Sequence, residues 1–192
     1  MRLFVALVPP EEVRQALRAV MGGVPQARWQ TDAQLHLTLA FIGEVDRHTG
    51  HDIASALARI DRPAFRAHLT QFGTFEGSRG EVATLWIGAG PAAPLGELAA
   101  AVGRAVASAG VRLVHRRFVP HLTLARFPPS GGPAPAVGRF LERQAPPALR
   151  WTVDAFHLME SRLGREGAHY QSLVRFPLRD GLTGSFADRR RP

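Results

Sequence analysis

The tetrapeptide His-Leu-Thr-Leu occurs twice in this chain, at His36–Leu39 and at His121–Leu124. On a β-strand alternate side chains share a face, so each copy presents an imidazole beside a hydroxyl while its two leucines point into a core. An imidazole titrates near neutrality, and two brought together can divide a reaction between a general base and a general acid. Such a pair suits in-line displacement at phosphorus. One ring takes a proton from the attacking oxygen and the other gives one to the leaving oxygen. The hydroxyls of Thr38 and Thr123 can bond the non-bridging oxygens, and a nearby arginine can offset their charge. No metal is required. A lone His-x-Thr is ordinarily half-buried polar surface. Two identical copies in a chain with 8 histidines, in opposite halves of the sequence, favour the catalytic reading.

Strands must carry this pair, and the pattern supplies them. Arg2–Val8 reads as a buried strand, and Pro9–Met21 as a helix with prolines and acids at its start and Gly22-Gly23 beyond its end. Gln34–Ile42 is the strand of the first motif, and Thr49–Ile60 is helical with Ile53, Leu57 and Ile60 on one face. Phe65–Phe75 and Val82–Ile87 read as strands joined by a Gly/Ser/Arg turn. The alanine-rich Leu95–Ala109 is a helix capped by Gly110, and Phe118–Phe127 is the strand of the second motif. A Pro/Gly loop and a short helix at Val137–Arg143 lead to two final strands, Trp151–Ser161 and His169–Leu178, turned by LGREG. Each half thus repeats strand and helix elements around one motif strand. The fold class expected is α+β: two similar lobes of antiparallel sheet with helices outside, a pseudo-two-fold relation and a central cleft.

Residues flanking the motifs extend the candidate site. Arg126 follows the second histidine by five positions and Phe41 follows the first by five. Arg126 is a candidate phosphate ligand, set against a surface ion pair, and Phe41 a candidate platform for stacking a base, set against a core aromatic. Strict alternation turns both away from the histidines, unless a bend near Gly43 and Pro128 brings them back. Arg117 and Phe118, just before the second motif, are further candidates of the same two kinds. His48, His51 and Asp52 invite a metal-site reading but sit at a helix start, where such groups are solvated. GPAAPLG and SGGPAPAVG lack the lysine and the context of a phosphate loop. His68, His115, His157 and His169 have no partner pattern and default to structural or surface roles.

Composition sets the bounds. The 192 residues, 45% apolar and 21% charged, can bury one substantial domain or two lobes sharing a core. Cysteine is absent, which excludes disulfides and thiolate metal sites. All 24 basic residues are arginine and the net charge is +8, so the surface favours a polyanion such as nucleic acid. Arginine enrichment over lysine is also what base composition produces. The opening apolar run is too short for a signal peptide and nothing approaches a membrane span, so a cytoplasmic location is expected. Nothing points to an obligate protein partner, and a monomer is the default.

Taken together, these stretches resemble the two-histidine (2H) phosphoesterases, in particular the RNA 2′,3′-cyclic phosphodiesterases also called 2′-5′ RNA ligases. RLFVALVPPEEVR resembles the family's opening strand and helix, LHLTLAFIGEV and RRFVPHLTLARF its two His-x-Thr-x motifs, and FHLMESRLGREGAHYQSLVRFPL its final hairpin. The resemblance implies one bilobal domain over residues 1–178, with 179–192 as an Arg-rich tail. It implies metal- and cofactor-independent hydrolysis of a 2′,3′-cyclic phosphate at an RNA end to a 2′-phosphate, with joining or cleavage of 2′-5′ linkages in some members. His36 would donate the proton to the departing 3′-oxygen, His121 would activate water, and Thr38 and Thr123 would bind the phosphate. Partners would be RNA ends such as tRNA halves, or cyclic nucleotides. The alternatives are a non-catalytic module that binds RNA ends, and the same chemistry on small cyclic nucleotides or 2′-5′ oligonucleotides. Tyr170 is read as a packing residue.

Overall fold

A computed structural model describes residues 1–114, 117–164 and 167–180 of the chain. In order, the elements are β1 (Arg2–Leu7), α1 (Glu11–Val20), β2 (Arg28–Trp29), a 3₁₀ turn (Asp32–Gln34), β3 (Leu37–Glu44), α2 (Arg47–Leu57), β4 (Phe65–Glu76), β5 (Val82–Gly90), α3 (Ala92–Ser108), β6 (His121–Arg126), α4 (Ala134–Arg143), β7 (Arg150–Val153), β8 (Ala155–Gly164) and β9 (Gly167–Pro177). The strands form one nine-stranded sheet in the order β7-β4-β5-β6-β3-β1-β8-β9, with β2 paired to β6. The motif strands β3 and β6 lie side by side at its centre. On either side are the two lobes, β6-β5-β4-β7 and β3-β1-β8-β9. Each motif strand follows a strand and a helix of its own lobe, β1-α1-β3 in one and β5-α3-β6 in the other.

The helices α1 to α4 cover one face of the sheet. Val13 and Leu17 of α1, Ile53 and Leu57 of α2, and Leu95, Leu98, Val102 and Val106 of α3 pack with Leu3, Val5 and Leu7 of β1 and with the motif leucines. Val137 and Phe140 of α4 close a second cluster over Leu85 and Ala125. Every motif leucine is buried here: Leu37, Leu39, Leu122 and Leu124. Each contributes about 1.5–3 kcal/mol by leaving water, which anchors the side chains between them. The helices therefore leave the opposite face for the imidazoles and hydroxyls. No helix among the described residues is long and apolar enough to cross a membrane.

Two departures from the sequence pattern matter. The stretch Trp151–Ser161, expected as one strand, is two: β7 edges one lobe and β8 lies inside the other, with only Asp154 between them. The apolar positions slip by one residue here, from Trp151 and Val153 to Phe156 and Leu158, but such a slip does not say which strands the two pieces will pair with. For one residue to bridge the two lobes the sheet must curl. Accordingly Leu178 N–H donates to the Asp154 carbonyl at 2.7 Å, and Arg179 N–H to the Arg62 carbonyl at 2.8 Å. The second departure is β2 with its 3₁₀ turn, too short to produce a period. Asp32 in that turn accepts from Arg14 Nε at 2.9 Å and from Arg18, both on α1. The helix starts also differ: α2, α3 and α4 begin at Arg47, Ala92 and Ala134. His115 and the segment 181–192 lie outside the described residues.

Candidate active site

The antiparallel strands β3 and β6 pair at one position, Leu37 opposite Leu122. Continued by one residue each way, this register sets His36 level with Thr123 and Thr38 level with His121. The pseudo-two-fold axis passes between the two leucines, and all four polar side chains stand on the helix-free face. From this single pair the strands diverge, leaving a cleft between the lobes.

Both imidazoles are held the same way. His36 Nδ1–H donates to the Gln34 carbonyl at 2.7 Å, and His121 Nδ1–H to the Val119 carbonyl at 2.7 Å. A carbonyl only accepts, so each ring carries its proton on Nδ1 and leaves Nε2 unprotonated in the neutral form. Aromatic rings brace them: Phe4 and Tyr170 lie 5.0 and 5.1 Å from His36, Phe75 and Trp86 4.8 and 6.0 Å from His121. Burial, above all, lowers both pKa values, His36 to about 4, while the carbonyl bonds pull upward. The Arg126 guanidinium lowers both rings further, and His121 lowers His36. One cation thus faces both histidines, and the two histidines sense each other.

Arg126 reaches this position by a β-bulge. Trp86 of β5 stands opposite Thr123 and Leu85 opposite Ala125, so Leu124 is the extra residue. Thr84 then stands opposite Arg126, on the same face as Trp86 and Thr123. The first motif repeats the device: Ala6 opposes Thr38, Val5 opposes Ala40, and Phe4 opposes Phe41, with Leu39 extra. Each bulge turns a Leu-Ala pair to the core and the next side chain to the site. Phe41, 69% exposed, therefore lies on the histidine face above Phe4, with ring centres 6.4 Å apart. A bulge inside each strand, rather than a bend at its end, overturns strict alternation. The Leu-Ala dipeptide after each Thr is its trace in the sequence.

Other candidates fall elsewhere. Phe118 packs against the main core, and Arg117 is exposed in the loop before β6. His48 pairs with Asp52 at 3.7 Å on the exposed start of α2, and His157 Nδ1 meets Ser172 Oγ at 2.9 Å. Residues the pattern did not single out include three of the bracing rings, Phe4, Phe75 and Trp86, and also Gln34. The Gln34 side chain donates to the Ala168 carbonyl at 2.8 Å and accepts from Thr31 N–H at 3.0 Å. It ties the turn that fixes His36 to the hairpin carrying Tyr170. These rest on contacts distant in sequence, which no local period signals.

A family model described as the 2′-5′ RNA ligase superfamily matches residues 8–165. The RNA 2′,3′-cyclic phosphodiesterase of Thermus thermophilus is 36% identical over 193 residues, covering 93% of this chain and 91% of its own length. The Escherichia coli protein of that description is 31% identical over 183 residues, covering 92% and 96%. Among solved structures, E. coli LigT complexed with 3′-AMP superposes with a TM-score of 0.76 at 28% identity, over 93% of this chain and 98% of that one. The T. thermophilus protein TT0787 gives 0.75 at 30%, over 94% and 100%. With its paired motifs at the axis of a two-lobed sheet, the chain belongs to the 2′-5′ RNA ligase superfamily of two-histidine phosphoesterases.

Proposed function

We propose that this chain hydrolyses 2′,3′-cyclic phosphates at RNA ends, leaving a 2′-phosphate, with His36 and His121 as general acid and base. The observation that carries this is the meeting of the two His-x-Thr units at Leu37 and Leu122, each imidazole locked by its Nδ1–H and offering Nε2 to one shared face. Phosphorus lies on the axis between them. Thr38, Thr123 and Arg126 bind its non-bridging oxygens and offset the charge that grows in the transition state. Water attacks phosphorus in line with the bond to the 3′-oxygen. His121 Nε2 takes the water proton as the new P–O bond forms, and His36 Nε2–H delivers one to the 3′-oxygen as the old bond breaks. The nucleophile becomes an oxygen of the 2′-phosphate, and one further proton exchange resets the pair.

The asymmetry at the bulges supports this division of roles. Phe41 offers a ring on the His36 side, where the equivalent position of the other lobe carries Arg126. A base stacked on Phe41 sets the nucleoside, and so the leaving oxygen, beside His36. In-line attack then comes from the His121 side. Free of substrate, both rings are neutral at pH 7, and the bound anion favours the imidazolium needed at His36.

The test is turnover, in EDTA, of an RNA with a 2′,3′-cyclic end, with the product phosphate position read by chromatography. His36→Ala and His121→Ala should each lower kcat/KM by at least about 100-fold. Full activity in either variant, or binding without turnover by the wild type, ends the proposal.

A further inference from the structure

Arg28 of β2 stands directly opposite Arg126 of β6, and Trp29 opposite Ala125. Directly opposed residues in an antiparallel pair share a face. Trp29 packs on Phe140 of α4 at 5.9 Å between ring centres, and Ala125 is buried in the same cluster. The alternate pair, Arg28 with Arg126, therefore faces the histidines. Both arginines are exposed, and neither makes a side-chain hydrogen bond or ion pair among the described residues. The acid nearest to Arg28 in sequence, Asp32, is engaged by Arg14 at 2.9 Å and by Arg18. Arg175, on the outer strand of the same face, is by contrast paired with Asp154 at 2.9 Å.

Like charges directly opposed across strands cost stability. Here the cost falls on a two-residue strand, held by the packing of Trp29 and by the Gln30 N–H donating to the Leu124 carbonyl at 2.8 Å. The repulsion is relieved when anions lie against the pair. A cyclic phosphate diester bears one negative charge, and Arg126, whose field already reaches both imidazoles, offsets it. A second uncompensated guanidinium beside the first fits a second phosphate close by. On RNA that group is the phosphodiester linking the terminal nucleoside to the nucleotide before it.

We propose that Arg28 holds this preceding phosphodiester, so that the site favours a cyclic phosphate at an RNA end over a 2′,3′-cyclic mononucleotide. The inference rests on the proposed function above. Its test compares Arg28→Gln with wild type on a cyclic-ended trinucleotide and on 2′,3′-cyclic AMP. KM for the trinucleotide should rise about tenfold relative to cyclic AMP, and the slope of log KM against log salt should fall by about 0.7, as for one lost contact to a single strand. Arg28→Lys should recover part of the loss, because the charge returns without the fork. The thermal midpoint of Arg28→Gln should not drop, since a repulsion is removed. Equal changes on both substrates, no change on the trinucleotide, or a lower midpoint would overturn the inference. A wild type that turns over neither substrate would instead overturn the proposed function.

Discussion

His36 and His121 each donate a local hydrogen bond to a backbone carbonyl, and burial above all lowers both; on His36, pushed to about 4, the charge of His121 adds to that of Arg126. Among the described residues, Arg126 is the charge that acts on both rings. A guanidinium disfavours imidazolium, so its removal raises both pKa values. Arg126→Gln should therefore move the bell of kcat/KM against pH upward while lowering its height by about 10²-fold, as expected for a lost phosphate donor. A full pH–rate profile checks both. Loss of height with no shift would mean that the guanidinium binds phosphate without setting the protonation of the pair.

At the scale of elements, the site depends on how neighbouring strands accommodate its braces. Gly73 of β4 opposes Trp86 of β5, and a Cβ at Gly73 would come within 2.3 Å of the indole. The indole lies flat across that glycine and touches His121's other brace, Phe75, with ring centres 5.2 Å apart. Its Nε1–H is buried without a partner among the described residues, so packing alone holds it. Gly73→Ala must displace Trp86, and His121 loses one wall. The expected result is a fall of roughly tenfold in kcat with a smaller change in KM, because misplacement of the reacting group costs more in the transition state than in binding. Rate measurements beside a melting curve separate this from simple unfolding. The bulges act at the same scale: the extra residue after each motif Thr, Leu39 or Leu124, converts a core-facing position into a site-facing one, placing Phe41 on one lobe and Arg126 on the other.

For the molecule as a whole, burying neutral imidazoles ties stability to pH. Unfolded histidine titrates near 6.5, while His36, His121 and His157 are all held lower in the fold. Above pH 6.5 the rings are neutral in both states and stability is at its full value. As pH falls from 6.5 toward 4 the unfolded chain takes up protons that the folded rings refuse, so stability is lost across that window. Thermal midpoints at about pH 7.5 and about pH 4.5 should show the drop, and His36→Gln should reduce it; an undiminished drop would assign the loss to other groups. The net charge of +8 acts at this scale too, since it draws a polyanion from a distance without choosing where it binds.

Period and motif, both local properties, were enough to establish the α+β class, the strands bearing the two motifs, and the pairing of an imidazole with a hydroxyl on one face. Alternation places His36 with Thr38 and His121 with Thr123 whatever the rest of the chain does. Only tertiary structure decided that Leu37 would stand opposite Leu122 and make one centre of two motifs, that Asp154 would carry the chain from one lobe to the other, and that Arg28 would face Arg126. The physical reason is that register and strand order arise from contacts between residues far apart along the chain, which leave no period behind. The bulges lie between these cases. Their Leu-Ala pairs were present in the sequence, but only partner strands show that the extra residue turns Phe41 and Arg126 toward the cleft.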